Sequence, residues 1–339
     1  MRTSKHKVGV CTAALLMVFS ISSPARAESV SVGMVRLPTA VFVGIARGYF
    51  AAESLQIQMV FSQSGGELVP ALSTGRIDVA IASPGAALFN AMALGVDVKM
   101  VADCWVAASE PVAHDYAYIV ARKDLGYGAA WTSRAIKGRT IAITARGQMT
   151  ELLAEAFLHR HGLRLSDVRL VQMPFASMEI ALRNHAVDFA AAIEPYAELG
   201  TRDGISVKLD GISALMPGFV QAVVLYGPRL SMRQRSVGLR FMHAFIRANR
   251  FLNSSLNTAE GRRTIAGIYQ RAIPMDDPTI YRTVGLPQSP SDLAVRLPGA
   301  YGLNWQLQTY AERGLVASRP DLASFVDPTL VPPRSGKRP

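Results

Sequence analysis

Cysteine is nearly missing from this chain of 339 residues, which holds two, Cys11 and Cys104. Cys11 lies in the N-terminal segment described below, so the remainder has a single thiol and no internal disulfide. Cys104 sits in an apolar run and reads as a buried, inert thiol. The six histidines lack metal-ligand spacing. His159 and His161 lie two apart and do not share a helical face. His114 stands beside Asp115 as an isolated loop pair, and His185 and His243 are solitary. There is no Gly-x-Ser-x-Gly, no Walker-type phosphate loop and no Cys-x-x-Cys. No catalytic constellation, metal or cofactor is therefore expected. A dense Lys/Arg block with interleaved aromatics is also lacking, which argues against nucleic acid as a partner.

What is present begins with a leader. Arg2, Lys5 and Lys7 form a positive start, followed by the apolar run Ala13–Ile21. Pro24 breaks it, and Ala25-Arg26-Ala27 fits the small-x-small cleavage rule. The run is too short to span a bilayer, which takes roughly 20 residues. Residues 1–27 are expected to be a cleaved secretory signal, leaving a soluble chain that starts near Glu28. Removing that segment takes four basic residues from the 36 and no acid from the 25, leaving a balance of +7. Arg334, Lys337 and Arg338 fall in a Pro-rich tail, so the folded part is only mildly basic. Half of the residues are hydrophobic, enough for two lobes with real cores.

The pattern after the leader alternates strand and helix, which implies parallel strands with right-handed crossovers. Predicted strands are 30–37, 55–61, 77–82 and 98–102, then 118–121, 140–143, 168–173, 189–193, 207–209 and 219–226. Thr39, Ser83 and Ser177 are placed to cap helices, and Ser231 with Gln234 reads as a capping box before a long helix to about Leu256. Thr258 opens another helix, and Leu303–Arg313 is the last. The segment at 118–121 leaves the first lobe and 219–226 returns to it. The expected division is a first lobe over 28–120, a second over 121–214, the first again over 215–325, and a loose basic tail over 326–339.

In open α/β sheets ligands bind at the carboxyl ends of strands, where helix N-termini converge and favour acidic groups. The candidate segments are Pro38-Thr39-Ala40, Ser83-Pro84-Gly85, Thr144 to Gln148, Pro174 to Ser177 and Ile193 to Tyr196. Each also suits an ordinary structural role. Thr39 and Ser83 are natural caps, Gly147 permits a tight turn, and Arg146 suits a solvated loop. Trp105, just past the fourth strand, serves either lobe packing or stacking. Glu194 directly follows an apolar strand and needs a partner or water. Trp105, Phe175 and Tyr196 are candidate walls for a ring or apolar body.

Three segments together resemble the nitrate/sulfonate/taurine-binding family of ABC importer receptors, which also holds binders of pyrimidine precursors. They are Pro38–Glu53 with its Arg47-Gly48-Tyr49-Phe50, Ala71–Ala80 followed by Ser83-Pro84, and Ala192-Ile-Glu-Pro-Tyr196. Lys137–Ala142 is similar to the family's lead-in to the first strand of the second lobe. One departure is Glu53-Ser54-Leu55, where many relatives have Glu-Gly-Leu. The resemblance covers most of 30–230. It implies a two-lobed periplasmic-binding-protein fold of type II, each lobe a mostly parallel sheet flanked by helices, joined by hinge strands. It implies site residues Thr39, Ser83, Thr144, Gly147, Gln148 and Glu194. It also implies a monomeric, non-enzymatic periplasmic receptor for a small solute that is sulfonate-, nitrate- or pyrimidine-like. The partners would be an ABC permease and its ATPase. Two alternatives share the fold: a pyrimidine-synthase-like or menaquinone-pathway enzyme, which the leader disfavours, and a ligand sensor for a signalling protein.

Overall fold

The computed structural model describes residues 27–126, 132–277, 279–286, 289–290 and 293–331. The expected leader, apart from Ala27, lies outside the described residues, as does the tail from 332.

Near-continuous apolar runs become strands buried on both faces, as parallel sheets covered by helices require. The first sheet starts with β1 (Glu28–Val35), β2 (Leu55–Ser62), β3 (Val79–Ala82) and β4 (Lys99–Val106). Between them lie α1 (Ala40–Ala46), α2 (Tyr49–Ala52), α3 (Leu68–Ser73) and α4 (Ala86–Ala93). The second sheet is built from β5 (Ala117–Arg122), β6 (Thr140–Ile143), β7 (Arg169–Gln172), β8 (Phe189–Ile193) and β9 (Ser206–Gly211). Its helices are α5 (Ser133–Ile136), α6 (Met149–Arg160), α7 (Phe175–Arg183), α8 (Tyr196–Arg202) and α9 (Ile212–Leu215). The chain then returns as β10 (Val220–Tyr226) and ends with α10 (Arg235–Ser255), α11 (Ala259–Ala272) and α12 (Leu303–Glu312).

The strand orders are β2-β1-β3-β10-β4 and β7-β6-β8-β5-β9. In each sheet the antiparallel strand is the one arriving from the other lobe, β10 in the first and β5 in the second. The expected lobe boundary at residue 120 cuts through β5, which belongs whole to the second sheet. The crossing therefore lies earlier, between β4 and β5.

The two crossing segments run side by side. Ala107 N–H donates to Phe219 O at 2.9 Å and Gly218 N–H to Ala108 O at 3.1 Å. Asp115, 3 % exposed, accepts from the Ser213 N–H at 2.7 Å and the Ser213 hydroxyl at 2.5 Å. A buried carboxylate on one crossing is thus satisfied by the other, which holds the pair together.

The C-terminal helices complete the first lobe. In α10, Val237, Phe241, Met242, Phe245, Ala248 and Leu252 form a buried stripe at helical spacing. Phe241 packs 5.1 Å from Phe50 and 6.2 Å from Phe245, centroid to centroid. Gly238 lets β10 approach: a Cβ there would come 2.8 Å from the Tyr226 ring, and Tyr226 donates to the Gly238 carbonyl at 2.7 Å. Cys104 is buried as expected, and burial pushes its thiol above the usual range.

Several expected caps are corrected. Gly85, not Ser83, is the N-cap of α4, because the Ala86 N–H is committed across the cleft to Gly147 O at 2.9 Å. α7 starts at Phe175 behind Pro174, which leaves Ser177 exposed inside the first turn. Ser231 lies in a π-helical turn and donates to Gly227 O at 3.1 Å, and α10 begins at Arg235, its N-cap Gln234 making no side-chain capping bond. The tail also starts later than expected. Val326 bridges Met100, Asp327 pairs with Arg235 at 2.8 Å, and Leu330 is fully buried.

Candidate functional site

Both sheets present strand ends to one interlobe cavity of about 50 Å³. A water centre needs roughly 10–15 Å³ of such space, so the volume suits one compact solute or a few waters. The first lobe contributes Ser83 after β3, Trp105 from β4 and Gln221 from β10. The second contributes Thr144 after β6, Gln148 to Thr150 at the start of α6, and Phe175 at the start of α7. The pairing of β10 with β4 is irregular on both sides of Ala222. Such irregularities re-aim side chains, and Gln221 and Trp105 from these strands both reach the cavity.

Two polar atoms in this wall are unsatisfied. Ser83 Oγ and Gln221 Oε1 are buried with no hydrogen-bond partner. Leaving such a group unpaired costs about 1–3 kcal/mol. Thr144 is committed differently. Its N–H donates to Thr150 Oγ1 at 3.0 Å and the two hydroxyls lie 2.9 Å apart, which fixes the turn from β6 into α6. None of the described lining residues carries a formal charge. The local field comes instead from the N-termini of α4, α6 and α7.

Of the residues expected from the sequence, Ser83, Trp105, Thr144, Gln148 and Phe175 line the cavity. Trp105 lies within β4, opposite Ala222, because that strand runs four residues past its expected end. The other four stand outside. Thr39 is buried and caps α1 through the Val41 N–H at 3.5 Å. Gly147 has a φ of 66° and sits behind Gln148, joining the lobes through Ala86. Tyr196 stacks on Phe175 at 6.2 Å, a second layer behind the wall. Glu194 is buried beneath the cleft, and its partner is Lys208 at 2.5 Å. It also accepts the Glu198 N–H at 3.0 Å. Burial lifts its carboxyl to about 7 against the pull of Lys208.

Gln221 and Thr150 are cavity residues that the sequence reading passed over. Gln221 did carry a signal, as the lone polar side chain in the apolar run Phe219–Tyr226.

A family model described as the NMT1-like family matches residues 23–268. The chain belongs to the NMT1-like family. YtlA of Bacillus subtilis (strain 168) is 21 % identical over 203 residues, and the match spans 58 % of each chain. The alkanesulfonate-binding protein SsuA from Xanthomonas axonopodis pv. citri, bound to MOPS, superposes with a TM-score of 0.70 at 20 % identity. That match covers 90 % of this chain and 99 % of SsuA. The periplasmic nitrate-binding protein NrtA from Synechocystis PCC 6803 gives a TM-score of 0.70 at 13 % identity, covering 89 % and 87 %. At these identities the likeness establishes the two-lobed fold. The kinship expected from the Tyr49-Phe50 helix, the Ile77-Asp78 lead-in and the Glu194-Pro195 segment is borne out. This NMT1-like protein shares its architecture with receptors for chemically different solutes, so its own cavity must carry the argument for its ligand.

Proposed function

We propose that this protein is an exported solute-binding receptor that closes on one small organic molecule and delivers it to an ABC permease and its ATPase. The observation that carries the reading is the pair of buried, unsatisfied atoms, Ser83 Oγ and Gln221 Oε1, on residues that line an interlobe cavity. A solute with a polar head would satisfy both, and its body would lie against Trp105 and Phe175. The N-termini of α4, α6 and α7 favour partial negative charge on that head. The described lining residues include no cation, which favours an organic sulfonate, carboxylate or pyrimidine-like compound over bare nitrate. The leader and the fold relatives named for sulfonate and nitrate support an exported receptor.

The test is a thermal-shift screen of the purified protein against sulfonates, nitrate, aromatic and aliphatic carboxylates, and pyrimidines. A ligand that binds only the folded state at a hundredfold excess over its Kd adds about 2.7 kcal/mol. At least one organic class should raise the melting temperature. Gln221→Leu should abolish that shift while leaving the ligand-free protein as stable or more stable, because it removes an unpaired buried atom. A flat screen overturns the ligand classes. A shift that survives Gln221→Leu moves the site elsewhere.

A further inference from the structure

Glu151 lies in the first turn of α6 and is 2 % exposed. Its carboxylate has three partners. Oε2 accepts the Gly147 N–H at 2.8 Å. Oε1 pairs with Arg146 at 2.8 Å. Oε2 also lies 3.5 Å from Nη1 of Arg313. Arg146 and Gly147 share the lobe of Glu151, but Arg313 caps the end of α12 in the first lobe. Its other terminal nitrogen pairs with Glu155, one turn along α6. One arginine of the first lobe therefore faces two carboxylates of the second: one nitrogen pairs with Glu155, and Nη1, which makes no hydrogen bond, lies in charge contact with the buried Glu151.

This grip is tied to the cavity through α4. At its start, the Ala86 N–H reaches Gly147 O, and the next residue, Gln148, lines the cavity. One turn further along, Asn90 donates to Leu315 O at 2.8 Å and accepts the Ala317 N–H at 3.1 Å. That holds the segment following Arg313 against the first lobe. Opening the cleft would part Arg313 from Glu151 and Glu155 and leave Glu151 with Arg146 and the Gly147 N–H, both of its own lobe. Opening would therefore break both ion pairs of Arg313, to Glu151 and to Glu155.

We propose that Glu151 and Arg313 form a clasp across the cleft, which favours closure through protein contacts. The purpose of the clasp rests on the receptor reading, but its test needs no solute, so either idea can fail without the other. Cysteines placed at Leu94, the exposed C-cap of α4, and at Ile180, exposed on α7, would carry spin labels on opposite lobes. Cys104 is buried and stays unlabelled. Pulsed dipolar spectroscopy then reads the interlobe distance.

The otherwise unaltered protein should show a population at the closed distance. Arg313→Gln should lower that population about tenfold, and Arg313→Lys should restore part of it. Glu151→Gln, which keeps the side-chain volume but removes the charge, should match Arg313→Gln and serves if the latter does not fold. Arg160→Gln breaks a pair within the second lobe, with Asp210, and should leave the distribution unchanged. A wild-type distribution without the closed distance would overturn the clasp. So would an unchanged distribution in both clasp variants, or an equal loss in Arg160→Gln.

Discussion

Glu194 illustrates how a single side chain can be rightly singled out and yet misassigned. Its position after four apolar residues signalled a carboxylate in need of a partner. The partner is Lys208 on β9, which also pairs with Glu198 at 2.5 Å and lies 4.8 Å from the Tyr118 ring. Nothing local links residues 194 and 208; only the β8-β5-β9 strand order brings them together. The burial that hides Glu194 has a measurable consequence. Its carboxyl rises from 4.5 to about 7, so between those values the folded chain holds a proton that the unfolded chain has lost. Raising the pH across that window must then favour unfolding. Stability should fall by roughly 1–3 kcal/mol from pH 4.5 to 7. Melting curves across the window should show the slope, and Glu194→Gln should flatten it. A slope unaltered by the substitution would place the titration elsewhere.

At the scale of elements, strands were more legible than helix starts. Continuous apolar runs such as Phe189–Ile193 need burial on both faces, and that requirement survives any detail of packing. A cap depends on where the chain turns. Thr258 is a true cap and accepts the Gly261 N–H at 3.0 Å. Ser83 has the same local credentials, but the Ala86 N–H is taken by the opposite lobe and the helix starts later. The five expected residues that line the cavity all come after predicted strands, a consequence of topology. Gln221 was passed over because it sits inside a strand, where one polar residue in an apolar run was not weighed as a site. Two substitutions separate local from tertiary contributions. Thr258→Ala should cost about 1 kcal/mol by removing the cap of α11. Phe241→Ala should cost about 3–5 kcal/mol, because it empties the fully buried contact of α10 with Phe50 and Tyr226. Urea unfolding of both variants gives the comparison, and equal losses would contradict this account of how α10 is held.

For the whole molecule, two sheets are joined by two hydrogen-bonded crossings, and close backbone contacts at the cleft bring the lobes together. Gly85 marks the tightest of them. Its φ of −93° is open to any residue, so its small size has another cause. A Cβ there would lie 2.0 Å from Gln148 Nε2 and 2.5 Å from the Gly147 carbonyl oxygen. A side-chain amide can swing away, but the carbonyl belongs to the backbone that holds Ala86 and Glu151. Gly85→Ala should therefore act as a wedge, forcing the lobes apart without disturbing either core. Small-angle scattering should show a larger radius of gyration than the parent protein, and a solute found by the thermal screen should no longer compact it. Circular dichroism should stay unchanged, because Ala is tolerated at that φ and no core atom is lost. If Gly85→Ala instead closes and binds like the parent, the second lobe must accommodate a shift of the Gly147 turn, and the cleft is softer than its contacts imply.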